Sequence, residues 1–153
     1  MRIFLLLALL AISVAAAQEA AGPEPPWMPQ LAEEPRALAA VEQFQAMLVE
    51  GRLGELAKHF SSGRLRLNLI EQDLPDGLYG SAQARSLLGA WLEPLDGRPP
   101  RISRVSLSED GTRLGLLLWW PPESREEPLP VRQLICELGL DAPVWTFESA
   151  TSP

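Results

Sequence analysis

Residues 101–120 read RISRVSLSEDGTRLGLLLWW, and this stretch decides the fold. Two apolar runs, 101–107 and 113–120, flank a polar segment that contains Asp110-Gly111. An Asp-Gly pair between two such runs is typical of a β-hairpin, because glycine accepts the positive φ that the turn requires. In the second run both parities are apolar, which predicts a central strand covered on both faces.

Three helices are predicted upstream of this hairpin. The apolar residues of 35–50 recur at steps of three, three and four, and a glycine follows at the position of a C-cap, which indicates an amphipathic helix. A shorter repeat of the same kind predicts a second helix over 53–60. Ser81 is a suitable N-cap for a third helix, which Pro94 and Gly97 end.

Strands account for most of the remaining chain. Leucines alternate with polar residues over 64–70, which predicts a half-buried strand, and two further strands are predicted at 129–138 and 144–148. The predicted order is therefore ααβαββββ, in an α+β domain that spans residues 35–150.

Parts of this layout resemble a known family. They are the helix-Gly-helix segment 44–60 ending in His-Phe, the strand at 64–70, and the segment 78–84, Leu-Tyr-Gly-Ser-Ala-Gln-Ala, which opens the third helix. Over about 41–148 the chain resembles the secreted bacterial domain of unknown function 4783, of the nuclear-transport-factor-2-like superfold. The resemblance implies a cone, in which a strongly curved antiparallel sheet wraps around the long helix and leaves a cavity at the wide end. It implies no activity, since this superfold hosts isomerases, dehydratases, transport factors and dimerisation modules.

The first 17 residues have the form of a Sec-type signal peptide. Arg2 precedes an apolar stretch at 3–14, and Ala15-Ala16-Ala17 offers small residues for cleavage after Ala17. The apolar stretch falls short of the roughly 20 residues that a membrane-spanning helix needs, so no stable membrane insertion is expected after cleavage. We therefore expect a secreted or periplasmic protein.

Residues 18–34 are rich in proline and glutamate, which predicts a disordered leader. Trp27 and Met28 interrupt this leader with apolar bulk, and they could dock on the domain itself or on a partner.

Composition excludes several classes of function. The chain has 153 residues, a formal net charge of −7 and one histidine, His59. Such an acidic protein has no electrostatic basis for binding nucleic acid. The single cysteine, Cys136, excludes an intramolecular disulfide and, with one histidine, the usual zinc sites, so no metal or other cofactor is expected. Cys136 alternates with leucines, which predicts a buried thiol; an intermolecular disulfide is the alternative.

The candidate catalytic residues are His59 and Asp73, because proton transfer in such a cone needs an imidazole or a buried carboxylate. Each has a structural alternative: His59 ends a short helix, and Asp73, like Glu71, follows a strand as a solvated turn residue would. Glu137 and Glu148 lie on predicted strands, with parities that leave open whether they face cavity or solvent.

Aromatic residues give the clearest indication of a ligand. Tyr79, Trp91, Trp119 and Trp120, with Trp145, could line an apolar cavity, although packing in the core is the alternative. Adjacent Trp119 and Trp120 must point to opposite faces of their strand, and the outward one would suit a homodimer through the open face of the sheet.

The leading hypothesis is a secreted or periplasmic non-catalytic module that binds an apolar small molecule or a protein partner, with a homodimer as one form. The alternative is a cofactor-free proton-transfer enzyme, of isomerase or dehydratase type, that acts on an apolar substrate in the cone cavity.

Overall fold

A computed structural model describes residues 25–70, 75–95, 97–121 and 132–153. The predicted signal peptide with its cleavage site at Ala17, residues 18–24 of the predicted leader, and the acidic residues Glu71 and Asp73 lie outside the described residues.

The predicted helices are present. Helix α1 spans Pro35–Val49, helix α2 spans Leu53–Leu56 and continues as a 3-10 turn, and helix α3 spans Ser81–Leu92. Pro35 occupies the first turn of α1, where its missing N–H costs no hydrogen bond. The expectation for the start of α3 is wrong: Gly80 is the N-cap residue and Ser81 is already helical, so no side chain caps this helix.

Six strands form one sheet, and the α+β fold class is confirmed. The strands are β1 (Arg64–Leu69), β2 (Gly77–Gly80), β3 (Arg101–Leu107), β4 (Arg113–Trp120), β5 (Arg132–Gly139) and β6 (Thr146–Ser152). Their spatial order is β2-β1-β6-β5-β4-β3. Neighbouring strands are antiparallel except β1 and β6, which pair in parallel and so correct the expectation of a wholly antiparallel sheet.

Strand β2 adds an element to the predicted order, and β6 extends beyond its predicted end at residue 148. β2 holds two glycines in four residues, and its sequence does not alternate between apolar and polar residues. It nevertheless pairs with β1, where Leu65 lies opposite Tyr79 of β2. The polar end of β6 continues to Ser152 because β5 and β1 both pair with it. The observed order is therefore ααββαββββ, since pairing with neighbours makes strands of segments that lack a periodic signal.

The core lies between the inner face of the sheet and the helices. Every second residue of β1, β4 and β5 is buried there, and Phe44 of α1 meets Phe147 of β6 edge to face at 5.0 Å between ring centroids. Cys136 belongs to this inner face and is buried, as predicted.

The predicted leader is wrong for its last ten residues. A 3-10 turn spans Met28–Leu31, and Trp27 and Leu31 are 5% and 1% exposed within the core. Burying a tryptophan and a leucine offsets the entropy lost by ordering this segment, so the domain begins before Pro35.

No helix of the described residues covers the outer face of the sheet, which corrects the expectation that β4 is covered on both faces. Leu117 and Trp119 of β4 are only half-buried, and Ile135 of β5 is exposed. Among the described residues, no helix is both long enough and apolar enough to cross a membrane.

Candidate ligand-binding site

Apolar side chains fill the interior of the cone. Among the described residues, Ser152 is the only buried polar one, and its hydroxyl accepts a hydrogen bond from the Ile70 N–H at 2.9 Å. No ionisable side chain of the described residues, apart from the Cys136 thiol, lies in this interior. Burial raises the pKa of that thiol well above its usual range, so it stays protonated and unreactive.

A cleft of about 370 Å³ opens at one end of the cone, and we call it the end cleft. It lies where α1 and α3 end, next to the start of β3 and the end of β4. Apolar side chains form most of its lining, and charged groups lie among them; the lining includes Leu48, Leu53, Leu92, Leu95, Pro100 and Trp120, with Glu50, Glu93 and Arg98.

Local sequence creates this opening. Gly51 after α1 and Gly97 after α3 have φ values of 66° and 69°, in the left-handed region where glycine turns the chain at no steric cost. Gly89 of α3 also lines the cleft, and a Cβ there would lie 3.3 Å from Cδ1 of Leu53. The cleft therefore depends on a missing side chain in α3 as well as on two chain reversals.

Two tryptophans form the wall behind the cleft. Trp91 and Trp120 meet edge to face, with ring centroids 5.6 Å apart, and Trp120 lines the cleft. The Nε1–H of Trp120 donates to the Arg98 carbonyl at 3.0 Å, whereas Nε1 of the buried Trp91 has no acceptor among the described residues. The Arg132 guanidinium lies 5.3 Å from the Trp91 ring centroid and donates to the Trp91 carbonyl.

Two of the charged side chains at the cleft, Arg98 and Glu50, are held by local partners. Arg98 donates from Nε to the Leu95 carbonyl at 3.0 Å and from Nη1 to the Pro121 carbonyl at 3.3 Å. Glu50 pairs with Arg52 at 2.6 Å. These contacts fix Arg98 as a bridge between the end of α3 and the end of β4, so it shapes the cleft.

The predicted aromatic residues do not form one site. Trp91 and Trp120 come together, and only Trp120 lines the end cleft. Trp119 points to the outer face, and Tyr79 lies on strand β2, where its hydroxyl donates to the Pro75 carbonyl at 2.7 Å. Sequence reasoning missed Arg98 and Gly89; the cluster of proline and glycine at 94–100 was the available signal that a helix end and a strand start leave a gap there.

His59 occupies a different place. Its ring stacks on Trp145 at 3.8 Å between centroids, and its Nδ1 lies 2.9 Å from the Trp145 carbonyl, to which it donates. The Nε1–H of Trp145 in turn donates to Gln43 at 2.8 Å. This network ties the turn after α2 to the start of β6 and to α1, and His59 does not line the end cleft. Asp73, the other candidate catalytic residue, lies outside the described residues.

A second, wider hollow of about 720 Å³ lies over β1 and β6 on the outer face. Its lining is largely polar and includes Arg64, Arg66, Glu137 and Glu148. Glu137 is 3.4 Å from Arg113, and Gly139 makes room for Glu148, whose Oε1 lies 2.5 Å from where a Cβ would stand. Both glutamates therefore face outwards and not into the cone.

Comparisons with solved structures confirm the nuclear-transport-factor-2-like fold that the resemblance implied. The structure named Rd1NTF2_04 with long sheet is 15% identical with a TM-score of 0.56, over 76% of this chain and 99% of that one. Aln2 from a Streptomyces species is 18% identical with a TM-score of 0.50, over 78% of this chain and 91% of that one. A DUF4783 family protein from Bacteroides uniformis is also similar, at 9% identity and a TM-score of 0.48, over 72% of this chain and 93% of that one.

Comparison with models of known protein families finds no match, and comparison with curated proteins finds none either. At these identities the structural likeness establishes the fold alone, and this fold is compatible with small-molecule binding.

Proposed function

We propose that this protein is a secreted or periplasmic module that binds an apolar small molecule in the end cleft without transforming it. The observation that carries the proposal is the end cleft itself, a hollow beside Trp120 that is lined by leucines with three charged side chains among them, in a domain whose described interior is filled by apolar side chains. Its volume of about 370 Å³ falls within the range of roughly 300–1,000 Å³ that small-molecule sites occupy.

The lining sets the chemistry of the ligand. Leu48, Leu53 and Leu92 would gain buried apolar contact, and Trp120 would offer part of its ring to a flat hydrocarbon or aromatic group. The hydrogen bonds that the Arg98 guanidinium donates to the Leu95 and Pro121 carbonyls hold the wall of the cleft in place before any ligand arrives. Such pre-organisation reduces the ordering cost of binding.

The location is part of the proposal. The signal-peptide form of residues 1–17 supports export followed by cleavage after Ala17. Expression of the full chain in bacterial cells, followed by cell fractionation and mass measurement of the recovered protein, tests export and cleavage. Recovery only from the cytoplasm would refute export, and a protein that keeps its first 17 residues would refute cleavage.

A matched pair of variants tests the cleft. Gly89→Met places a flexible side chain into the cleft from α3, and Ala90→Met adds the same side chain to the exposed side of the same helix. The probe is N-phenyl-1-naphthylamine, a neutral apolar fluorophore whose emission rises in a dry site. We expect the wild type and Ala90→Met to bind it alike, and Gly89→Met to lose binding by about tenfold or more.

Native mass spectrometry of the gently purified protein gives the second measurement. An adduct of small-molecule mass in the wild type that is missing from folded Gly89→Met would support the proposal. Equal probe binding by both variants, or no binding and no adduct at all, would refute it. Near-ultraviolet circular dichroism establishes that Gly89→Met is folded.

A further inference from the structure

The outer face of the sheet carries an apolar patch flanked by arginines. We call it the outer patch: Leu117 and Trp119 of β4, Ile135 of β5, and Arg101 and Arg104 of β3. The register places Leu117 between Ile135 and Arg104, and Trp119 directly opposite Arg101. Side chains opposed in this way are close neighbours on one face, so the five residues form one continuous surface.

The outer patch has the composition of a protein interface. Ile135 is 46% exposed, and Leu117 and Trp119 are partly buried on a face that no helix of the described residues covers. Protein interfaces are enriched in tryptophan and arginine, and a central apolar group inside a polar rim is their usual anatomy.

Within the described ranges, Arg101 and Arg104 have no acidic partner. The Arg101 guanidinium lies 5.9 Å from the Trp119 ring centroid, and neither Arg101 nor Arg104 forms an ion pair with a carboxylate of the described residues. An arginine that is already held over an aromatic ring keeps its planar fork free to accept a carboxylate in two parallel hydrogen bonds.

Charge on this face differs in sign from the charge of the chain. The chain carries −7. The described part of the outer face nevertheless presents five exposed arginines against three carboxylates; these are Arg64, Arg66, Arg101, Arg104 and Arg113, with Asp76, Glu137 and Glu148. Arg66 pairs with Asp76 at 2.8 Å and Arg113 with Glu137 at 3.4 Å, so the unpaired positive charge lies on Arg64, Arg101 and Arg104 among the described residues. An acidic partner is therefore attracted to this face and repelled by the rest of the molecule.

A second copy of this chain fits the face poorly. Arginines occupy both flanks of the sheet, Arg64 and Arg66 on β1 and Arg101 and Arg104 on β3. If two copies stacked their outer faces about a two-fold axis that lies between the sheets and parallel to the central strands, the β1 flank of each copy would lie over the β3 flank of the other. Arginine would then oppose arginine, which disfavours that contact.

We propose that the outer patch binds an acidic segment of another protein, one in which apolar side chains alternate with carboxylates. The apolar side chains pack on Trp119 and Ile135, and the carboxylates pair with Arg101 and Arg104. This surface is separate from the end cleft, so the two binding events are independently testable.

Fluorescence of Trp119 reports the contact. The other tryptophans of the described residues are at most 7% exposed, so acrylamide quenches Trp119 preferentially in the folded protein. The probes are two synthetic peptides of equal length: one alternates Leu and Phe with Asp and Glu, and the other carries Asn and Gln in place of the acids. We expect the acidic peptide to protect Trp119 from quenching and to bind at least about tenfold more tightly than its amide counterpart.

Substitutions test whether Arg101 and Arg104 bind the carboxylates of the peptide. Arg101→Gln with Arg104→Gln should weaken the acidic peptide by about tenfold or more and flatten its salt dependence, whereas Arg85→Gln on the exposed face of α3 should leave its affinity within about twofold. Gly89→Met, which fills the end cleft, should bind the acidic peptide as the wild type does.

Several results would overturn the proposal. They are equal affinity for the two peptides, unchanged binding by the double variant, or no binding of the acidic peptide up to about 1 mM. Light scattering that shows a dimer, together with a Trp119 that becomes accessible on dilution, would assign the outer patch to a second copy instead.

Discussion

Trp91 and Trp120 allow the same substitution to be made at two neighbouring, equally buried sites that differ in hydrogen bonding. They are 1% and 3% exposed and touch each other edge to face. Trp120 donates from Nε1 to the Arg98 carbonyl at 3.0 Å, and Trp91 has no acceptor for its Nε1–H among the described residues. We predict that Trp120→Phe destabilises the protein more than Trp91→Phe does.

The magnitude follows from what each change removes. Either substitution loses on the order of 50 Å² of buried apolar area, or about 1 kcal/mol at about 25 cal/mol per Å². Trp120→Phe also loses its hydrogen bond, which contributes about 1 kcal/mol. Trp91→Phe instead relieves a buried N–H without a partner, which recovers about 1 kcal/mol or more. We therefore expect a loss of about 2 kcal/mol for Trp120→Phe and close to none for Trp91→Phe.

Urea unfolding followed by circular dichroism measures the difference. With a slope of about 2 kcal/mol/M, the unfolding midpoints of the two variants should differ by about 1 M. Unequal slopes would show that a variant alters the unfolded or the native state more broadly. A loss for Trp91→Phe as large as that for Trp120→Phe would refute the reasoning, since it would mean that Nε1 of Trp91 has an acceptor, supplied by a bound molecule or by residues outside the described ranges.

Three further predictions concern single residues. Asp110 accepts hydrogen bonds from Ser108 and from both the N–H and the hydroxyl of Thr112, and these contacts lower the pKa of its carboxyl from 3.8 to about 2. Its stabilising effect is therefore complete above about pH 4 and disappears as the pH falls through 2. The difference in free energy of unfolding between wild type and Asp110→Ala should narrow over that window, and a difference that is constant with pH would contradict this. Cys136 should resist maleimide in the native protein and react in urea, because it is fully buried with a raised pKa; rapid native labelling would show that the site opens. Trp27→Ala should lower the free energy of unfolding, measured in urea, by about 3 kcal/mol. A negligible loss would show that Trp27 and its neighbours do not belong to the folded domain.

Periodic segments were predictable because their local pattern and their tertiary role agree. The hairpin 101–120 folds as β3 and β4 with the predicted bounds, since the Asp110-Gly111 turn and the apolar runs beside it are both local features. Helix α1 ends one residue before its predicted end, because three buried apolar turns followed by Gly51 define it without help from elsewhere.

Segments without periodicity were not predictable for the opposite reason. β2 contains Gly77 and Gly80 and becomes a strand only through its pairing with β1. Trp27 and Leu31 lie in a proline-rich stretch, and only the core against which they pack orders them. Leu117 and Trp119 are only partly buried, although composition predicts full burial, because an apolar residue does not reveal whether a second layer covers it.

The candidate sites show the same division. Sequence reasoning named Trp120, but the end cleft also needs Gly89, Arg98 and Leu95, which meet only because α1, α3 and β3 converge. His59 was identifiable as the one histidine, while its stacking on Trp145, 86 residues later, came from pairing that no local pattern encodes.

The sequence by itself determined the α+β class, the hairpin, the helices, the acidic charge and the burial of Cys136, since each follows from local periodicity or from a count of residues. The tertiary structure decided the parallel pairing of β1 with β6, the outward direction of Glu137 and Glu148, the filling of the cone interior by apolar side chains and the place of the end cleft. The physical reason is that register and packing are set by contacts between residues far apart in the chain, and their free energy is not contained in any one segment.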